Sequence, residues 1–133
     1  EQVRRGGLEG RVDFLGWRED LRELLPGFDL LVHAPRSEGF GRVYAEAMAS
    51  GLPVLAAPVG GLTEIHRETG WGRLVPSRDP DDLAHAMEHL IDDPGEREAM
   101  RAAGPSRARA HFALEAHTDA VVGLYREIVE AHR

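Results

Sequence analysis

Short apolar runs alternate with helical spacings along this chain, and that alternation predicts an α/β fold with a parallel sheet. Val12-Asp13-Phe14-Leu15 reads as a short strand ended by Gly16. Arg18 to Leu25 follows as a short helix, with Leu21, Leu24 and Leu25 on one face and Pro26-Gly27 as its stop. Phe28 to His33 holds the next strand, a continuous apolar run of the kind buried on both faces. Gly41 to Ser50 is an alanine-rich helix closed by Gly51. Pro53 to Ala57 is a third strand, Val59-Gly60-Gly61 the tight turn behind it, and Leu62 to about Arg67 a short helix. Gly72 to Val75 makes a fourth strand.

The rest of the chain is helical in pattern. Asp79 caps a helix with Pro80 at its first position, and Leu83, Met87, Leu90 and Ile91 repeat at helical spacing up to Pro94. Glu96 to Ala103 continues as another helix, which Gly104-Pro105 is expected to break. A final amphipathic helix carries Val121, Leu124, Tyr125 and Ile128.

Composition narrows the function. The 133 residues suffice for one domain, and 42 % hydrophobic with 29 % charged residues is an ordinary globular balance. No apolar run reaches the ~18 residues of a transmembrane helix. The first five residues, Glu1 to Arg5, lead into no apolar run, so no signal peptide is expected. They also lack a Met, which fits a segment of a longer protein. Cysteine is absent, which excludes disulfides and thiol chemistry, and the net charge of −7 argues against a nucleic-acid partner. Every basic residue other than histidine is an arginine, so no P-loop or Schiff-base lysine exists in this segment. The expected location is cytoplasmic.

One stretch carries chemistry. After the strand that ends at His33, the loop Ala34-Pro35-Arg36-Ser37-Glu38-Gly39-Phe40-Gly41 enters the alanine-rich helix. That places the loop at the carboxyl edge of the sheet, where open α/β folds bind ligands. Gly39 and Gly41 allow close approach to the backbone, and the helix start after Gly41 suits a phosphate. Glu38 precedes that start and Glu46 lies about one turn inside the helix, among alanines and a methionine. A carboxylate in such company is either hydrogen-bonded, for instance by sugar and ribose hydroxyls, or simply solvent-facing. Spacing alone leaves both readings open.

The stretch Glu38-Gly39-Phe40-Gly41-Arg42-Val43-Tyr44-Ala45-Glu46-Ala47-Met48-Ala49, continued by Gly51, Pro53 and Val54, closely resembles the Glu-x7-Glu motif of retaining glycosyltransferases of the two-Rossmann-domain (GT-B) fold. That family includes sucrose-phosphate synthases and bacterial mannosyltransferases. Other segments fall in register. Val12 to Gly16 resembles the third strand of the family's C-terminal domain. Val59 to Ile65 resembles its Gly-Gly-x-x-Glu turn, and Gly70 to Pro76 and Asp79 to Leu83 resemble the family's segments C-terminal to that turn. The likeness runs from about Val12 to Tyr125.

The resemblance implies that residues 1–133 are part of a C-terminal nucleotide-sugar-binding domain with a Rossmann-like parallel sheet. Glu38 then approaches the hydroxyls of the donor sugar and is the catalytic candidate. The Gly39, Phe40, Gly41 and Arg42 amides reach the sugar and diphosphate, and Glu46 holds the ribose. Gly16, Trp17 and Arg18 lie near the nucleobase, with Trp17 equally readable as a packing residue. His33, Gly60 and Gly61 are further candidates beside the ligand. The implied reaction moves a sugar from a nucleoside diphosphate to an acceptor hydroxyl with retained configuration, through an oxocarbenium-like transition state and a departing diphosphate.

No cofactor and no metal are expected. Asp81-Asp82 and Asp92-Asp93 read as cap and surface charges, and His85 with His89 as a solvated helix face lacking a third ligand. Two departures stand out: the upstream arginine and lysine that grip the diphosphate have no match, and Thr63 stands where the family often has proline. The acceptor-binding N-terminal domain is missing too, so the fragment alone is expected to be inactive. In the family's sheet order, 3-2-1-4-5-6, this chain supplies strands 3 to 6. Rearranged pairing or self-association of Val12 to Leu15 is therefore expected. For the full-length enzyme, attachment to the inner face of a membrane is left open. The competing readings are a catalytically inactive nucleotide-binding or assembly module on the same scaffold, and a nucleotide-sugar epimerase, against which the Glu-x7-Glu spacing speaks.

Overall fold

The computed structural model describes residues 1–132. Three parallel strands, β1 (Leu31–His33), β2 (Val54–Ala56) and β3 (Arg73–Leu74), form one sheet in the order β1-β2-β3. Leu31 stands opposite Val54 and His33 opposite Ala56, while Leu55 faces Arg73. Helices fill the connections: α1 (Gln2–Arg5), α2 (Leu21–Leu24) with a 3₁₀ turn at Leu25–Gly27, α3 (Arg42–Ser50), α4 (Gly61–Thr69), α5 (Pro80–Asp92), α6 (Pro94–Phe112) and α7 (Leu114–Ala131).

The central strand is fully buried, and with Tyr44, Met48, Leu52, Leu62, Trp71 and Leu90 it makes the core. Two polar handles in that core are satisfied internally, as burial requires. The Tyr44 hydroxyl donates to the Trp71 carbonyl, and the Trp71 indole N–H donates to the Met100 carbonyl at 2.8 Å. The two rings meet edge to face with centroids 5.6 Å apart. Burial pushes the ionisation of the Tyr44 hydroxyl far above the usual tyrosine range, so it stays a donor. Helix starts follow their caps. The Asp79 carboxylate accepts from the amide of Asp81 at 2.9 Å, and that of Asp93 from the amide of Glu96 at 2.9 Å.

Three sequence expectations are corrected. Val12 to Leu15 is not a strand: it is irregular and solvent-exposed, with Phe14 84 % accessible. A strand exists only where a neighbour takes its backbone hydrogen bonds, and the strands that would lie beside this segment have no counterpart in the chain. No rearranged pairing forms either. Secondly, the Phe28 to His33 run is not buried on both faces. Only Leu31–His33 is strand, half-buried, because β1 is an edge of the sheet.

Thirdly, Gly104-Pro105 does not break the helix, and α6 runs unbroken from Pro94 to Phe112. An internal proline costs about 3 kcal/mol in an isolated helix. Here α6 lies along α3, and Gly104 brings the two backbones together: a Cβ on it would sit 2.6 Å from the Met48 carbonyl oxygen. Burial of Met100, Gly104 and Ala108 along that contact holds the helix through the proline.

Candidate functional site

The loop between β1 and α3 is built by contacts from both sides. Behind it stands the turn at the end of β2. Gly60 has φ +47°, and a Cβ there would lie 2.0 Å from the Glu38 carbonyl oxygen. One on Gly61 would lie 2.4 Å from the carbonyl oxygen of Gly39. The amide of Gly61 donates to the Glu38 carbonyl at 3.3 Å. Two glycines therefore let the β2–α4 turn press against the 38–40 backbone, which no other residue pair would permit.

At the far end of the loop, Gly41 caps α3 in a left-handed conformation (φ +88°), without any side-chain cap. Its missing Cβ leaves room for Leu62, whose Cδ2 would lie 2.7 Å away. No side chain caps the first amides of α3, the arrangement that suits an anion. Phe40, half-exposed, rests edge to face on Phe112 at the end of α6, with centroids 5.9 Å apart.

Glu38 is three-quarters buried and faces His33, the last residue of β1, with His33 Nε2 and Glu38 Oε2 3.0 Å apart. The His33 hydrogen bond, followed by the amides of Gly41 and Gly39, holds the Glu38 carboxyl below the usual glutamate range. An ionised carboxylate only accepts, so Nε2 carries the proton and donates.

Glu46 sits elsewhere. It projects from α3 into a cavity of about 720 Å³ lined also by Trp17, Arg18, Arg22, Leu25, Arg42 and Ser50. That volume is within the ~300–1,000 Å³ range of small-molecule sites. Glu46 is 40 % exposed and pairs with Arg42 across one helical turn, Nη2 to Oε1 at 3.3 Å. Arg18 is held by a bidentate pair with Asp20, which lowers the Asp20 carboxyl. Trp17 packs against nothing in the core: it is 83 % exposed, with its ring at the cavity wall.

The structure therefore gathers the predicted residues into two groups. Trp17, Arg18, Arg42 and Glu46 share the cavity, with Gly16 next in sequence. Glu38, Gly39, Phe40, Gly41, His33, Gly60 and Gly61 form the loop cluster at the carboxyl end of β1 and β2, outside that cavity's lining. Arg22 was missed from sequence, although it follows Arg18 at a spacing of four, on the same face of the expected helix.

Elsewhere, His89, Asp93 and Glu96 bring ligand atoms within 4.8 Å of one another. Their groups are already engaged: both Glu96 oxygens accept from Arg73 at 2.9–3.0 Å, and Asp93 caps α6. Among the described residues no helix is long and apolar enough to cross a membrane.

Comparison with known proteins shows the family and the fold. The family described as glycosyl transferases group 1 matches residues 1–93. The chain is 37 % identical over 129 residues to a D-inositol 3-phosphate glycosyltransferase of Salinispora tropica, covering 96 % of this chain and 27 % of that one. It is 32 % identical over 133 residues to a lipopolysaccharide core biosynthesis mannosyltransferase of Rhizobium meliloti, covering 97 % and 37 %. Among solved structures it superposes on Anabaena HepE, crystallised with UDP and glucose, with a TM-score of 0.77 at 34 % identity over 98 % of this chain and 34 % of that one. Sucrose-phosphate synthase from Thermosynechococcus elongatus gives a TM-score of 0.81 at 34 % identity over 98 % and 33 %. The chain thus spans about a quarter to a third of the length of these proteins. Its sheet and flanking helices match part of the Rossmann-like C-terminal domain of a GT-B fold. On sequence and on fold together, this chain belongs to the glycosyl transferases, group 1.

Proposed function

We propose that the chain is the donor-binding part of a glycosyltransferase that moves a sugar from a nucleoside diphosphate to an acceptor hydroxyl with retention of configuration. The observation that carries this reading is the junction at the carboxyl rim of the sheet. A loop clasped by Gly60 and Gly61 ends at an uncapped helix start, and the same helix carries Glu46 into a cavity of about 720 Å³. The Anabaena structures with UDP, glucose and UDP-glucose support a sugar nucleotide as the ligand class.

In this reading Glu46 accepts from the ribose hydroxyls while Trp17 and Arg18 flank the base, near Gly16. The exposed Arg42–Glu46 pair contributes only about 0.3–0.5 kcal/mol, so a diphosphate can recruit Arg42 at small cost. The amides of Phe40 and Arg42 meet the diphosphate, while those of Gly39 and Gly41 hold the carboxylate of Glu38, which meets the sugar. Leaving-group charge is then stabilised by oriented amides and guanidinium groups, with no metal or cofactor.

An acceptor-binding domain elsewhere in the same protein completes the active site, and this segment alone is inactive. The exposed Val12 to Leu15 segment gains its neighbours from upstream strands of the same donor-binding domain, or by self-association. The full-length enzyme works in the cytoplasm, at the inner membrane face if its acceptor is lipid-bound. No observation favours the catalytically inactive module.

The test is calorimetric titration of the full-length protein with a panel of nucleoside diphosphate sugars, beside Glu46→Gln. At least one member should bind, and the variant should bind it about tenfold or more weakly. Unchanged affinity removes Glu46 from the ribose role, and a panel with no binder ends the reading.

A further inference from the structure

We propose that His33 is a positioning residue, which acts on the donor sugar only through Glu38 by fixing the direction of its carboxylate. The inference rests on the donor-binding reading above and deepens it at one atom pair.

His33 ends β1, where its backbone is tied down: its carbonyl accepts from the amide of Ala57 at 3.0 Å in the neighbouring chain segment. The imidazole thus leaves a fixed point of the sheet rim. Glu38, by contrast, sits on a loop, and a glutamate there has three side-chain torsions to settle. Its backbone is pinned by Gly60 and Gly61. Its carboxylate is held by Nε2 of His33, 3.0 Å from Oε2, the strongest of its partners ahead of the amides of Gly41 and Gly39, and both side chains are about three-quarters buried. A hydrogen bond to a carboxylate in such a half-dry place is stronger and more directional than one at the surface. One oxygen is thereby held by a side chain before any ligand arrives. Preorganisation of this kind removes the ordering cost from the binding step.

The spacing suits the task. Four residues separate the pair, Ala34, Arg36 and Ser37 among them exposed, so the two side chains meet across a loop rather than along a helix. The strand end that bears the imidazole belongs to the loop cluster and not to the cavity that Glu46 lines. Its effect should therefore fall on the sugar end of the donor and spare the nucleotide end.

The experiment uses the full-length protein and the tightest-binding sugar nucleotide of a commercial panel, with the matching sugar-free nucleoside diphosphate as control. His33→Phe removes the donor, and His33→Asn keeps a polar group that falls short of Oε2. His33→Gln restores an N–H near the position of Nε2. Either removal variant should bind the sugar nucleotide about tenfold more weakly and the sugar-free diphosphate as wild type does. His33→Gln should recover affinity to within about threefold. In the background of Glu38→Gln, the removal should have no further effect.

Equal weakening of both ligands, or no rescue by His33→Gln, would reduce His33 to a structural role and overturn the proposal. If Glu38→Gln weakens sugar-nucleotide binding and His33 variants do not, the proposal fails while the donor-binding reading stands. If no sugar nucleotide binds the wild type, both fall.

Discussion

A methyl group on Gly60 would lie 2.0 Å from the carbonyl oxygen of Glu38, so the turn after β2 and the loop after β1 fit together only because that position is bare. The contact is backbone against backbone, with no flexible side chain to give way. Gly60→Ala should therefore displace the 38–40 loop, with the added strain of a residue held at φ +47°. The expected loss is about 2 kcal/mol or more of unfolding free energy. Chemical denaturation measures it, and sugar-nucleotide affinity should fall with it.

Gly104 sets two effects against each other. Alanine is about 1 kcal/mol better than glycine inside a helix, so propensity alone predicts that Gly104→Ala stabilises α6. Yet the new Cβ would sit 2.6 Å from the Met48 carbonyl oxygen and 3.2 Å from the Trp71 ring. Overpacking of that kind costs ~1–3 kcal/mol, and it should win. The variant should melt lower than wild type; a higher melting point would show that α3 and α6 can separate freely.

Trp71 joins three parts of the core, and Trp71→Phe tests that role. The substitution removes the N–H that the Met100 carbonyl accepts at 2.8 Å and leaves a gap beside Gly104. Lost hydrogen bond and lost volume together predict about 2 kcal/mol of destabilisation by urea titration.

Acid pH should act through Glu38 and Asp20, whose carboxyls are held below their ordinary values by His33 and Arg18. A depressed carboxylate stabilises the fold above its unfolded pKa, and that contribution is lost as pH falls through the folded one. Sugar-nucleotide affinity should accordingly survive into the ordinary glutamate range and fall below it. In His33→Asn the acid limb should move up toward the usual glutamate value. The pH dependence of binding, measured for both proteins, checks this.

Much of this fold was legible in the chain because local signals and global packing agree. Asp79-Pro80 caps α5, Gly51 closes α3, and the Val54–Ala56 run is the buried central strand. Legibility failed where a long-range partner decides. Val12 to Leu15 has the composition of a strand and nothing to pair with, while Gly104-Pro105 has the composition of a break and a neighbour that overrides it. For the candidate site, the sequence offered residues to name, on the loop and at the helix start. Their division into a cavity around Glu46 and a cluster around Glu38 depends on where His33 and α2 lie, which spacing does not encode.

Whether Glu46 grips the ribose of a sugar nucleotide is decided by pairing Glu46→Gln with a nucleotide lacking one ribose hydroxyl. In wild type, the 2′- or 3′-deoxy nucleoside diphosphate should bind about tenfold more weakly than its parent, and in Glu46→Gln the two should bind alike. If the deoxy nucleotide loses as much affinity in the variant as in wild type, Glu46 does not touch the ribose.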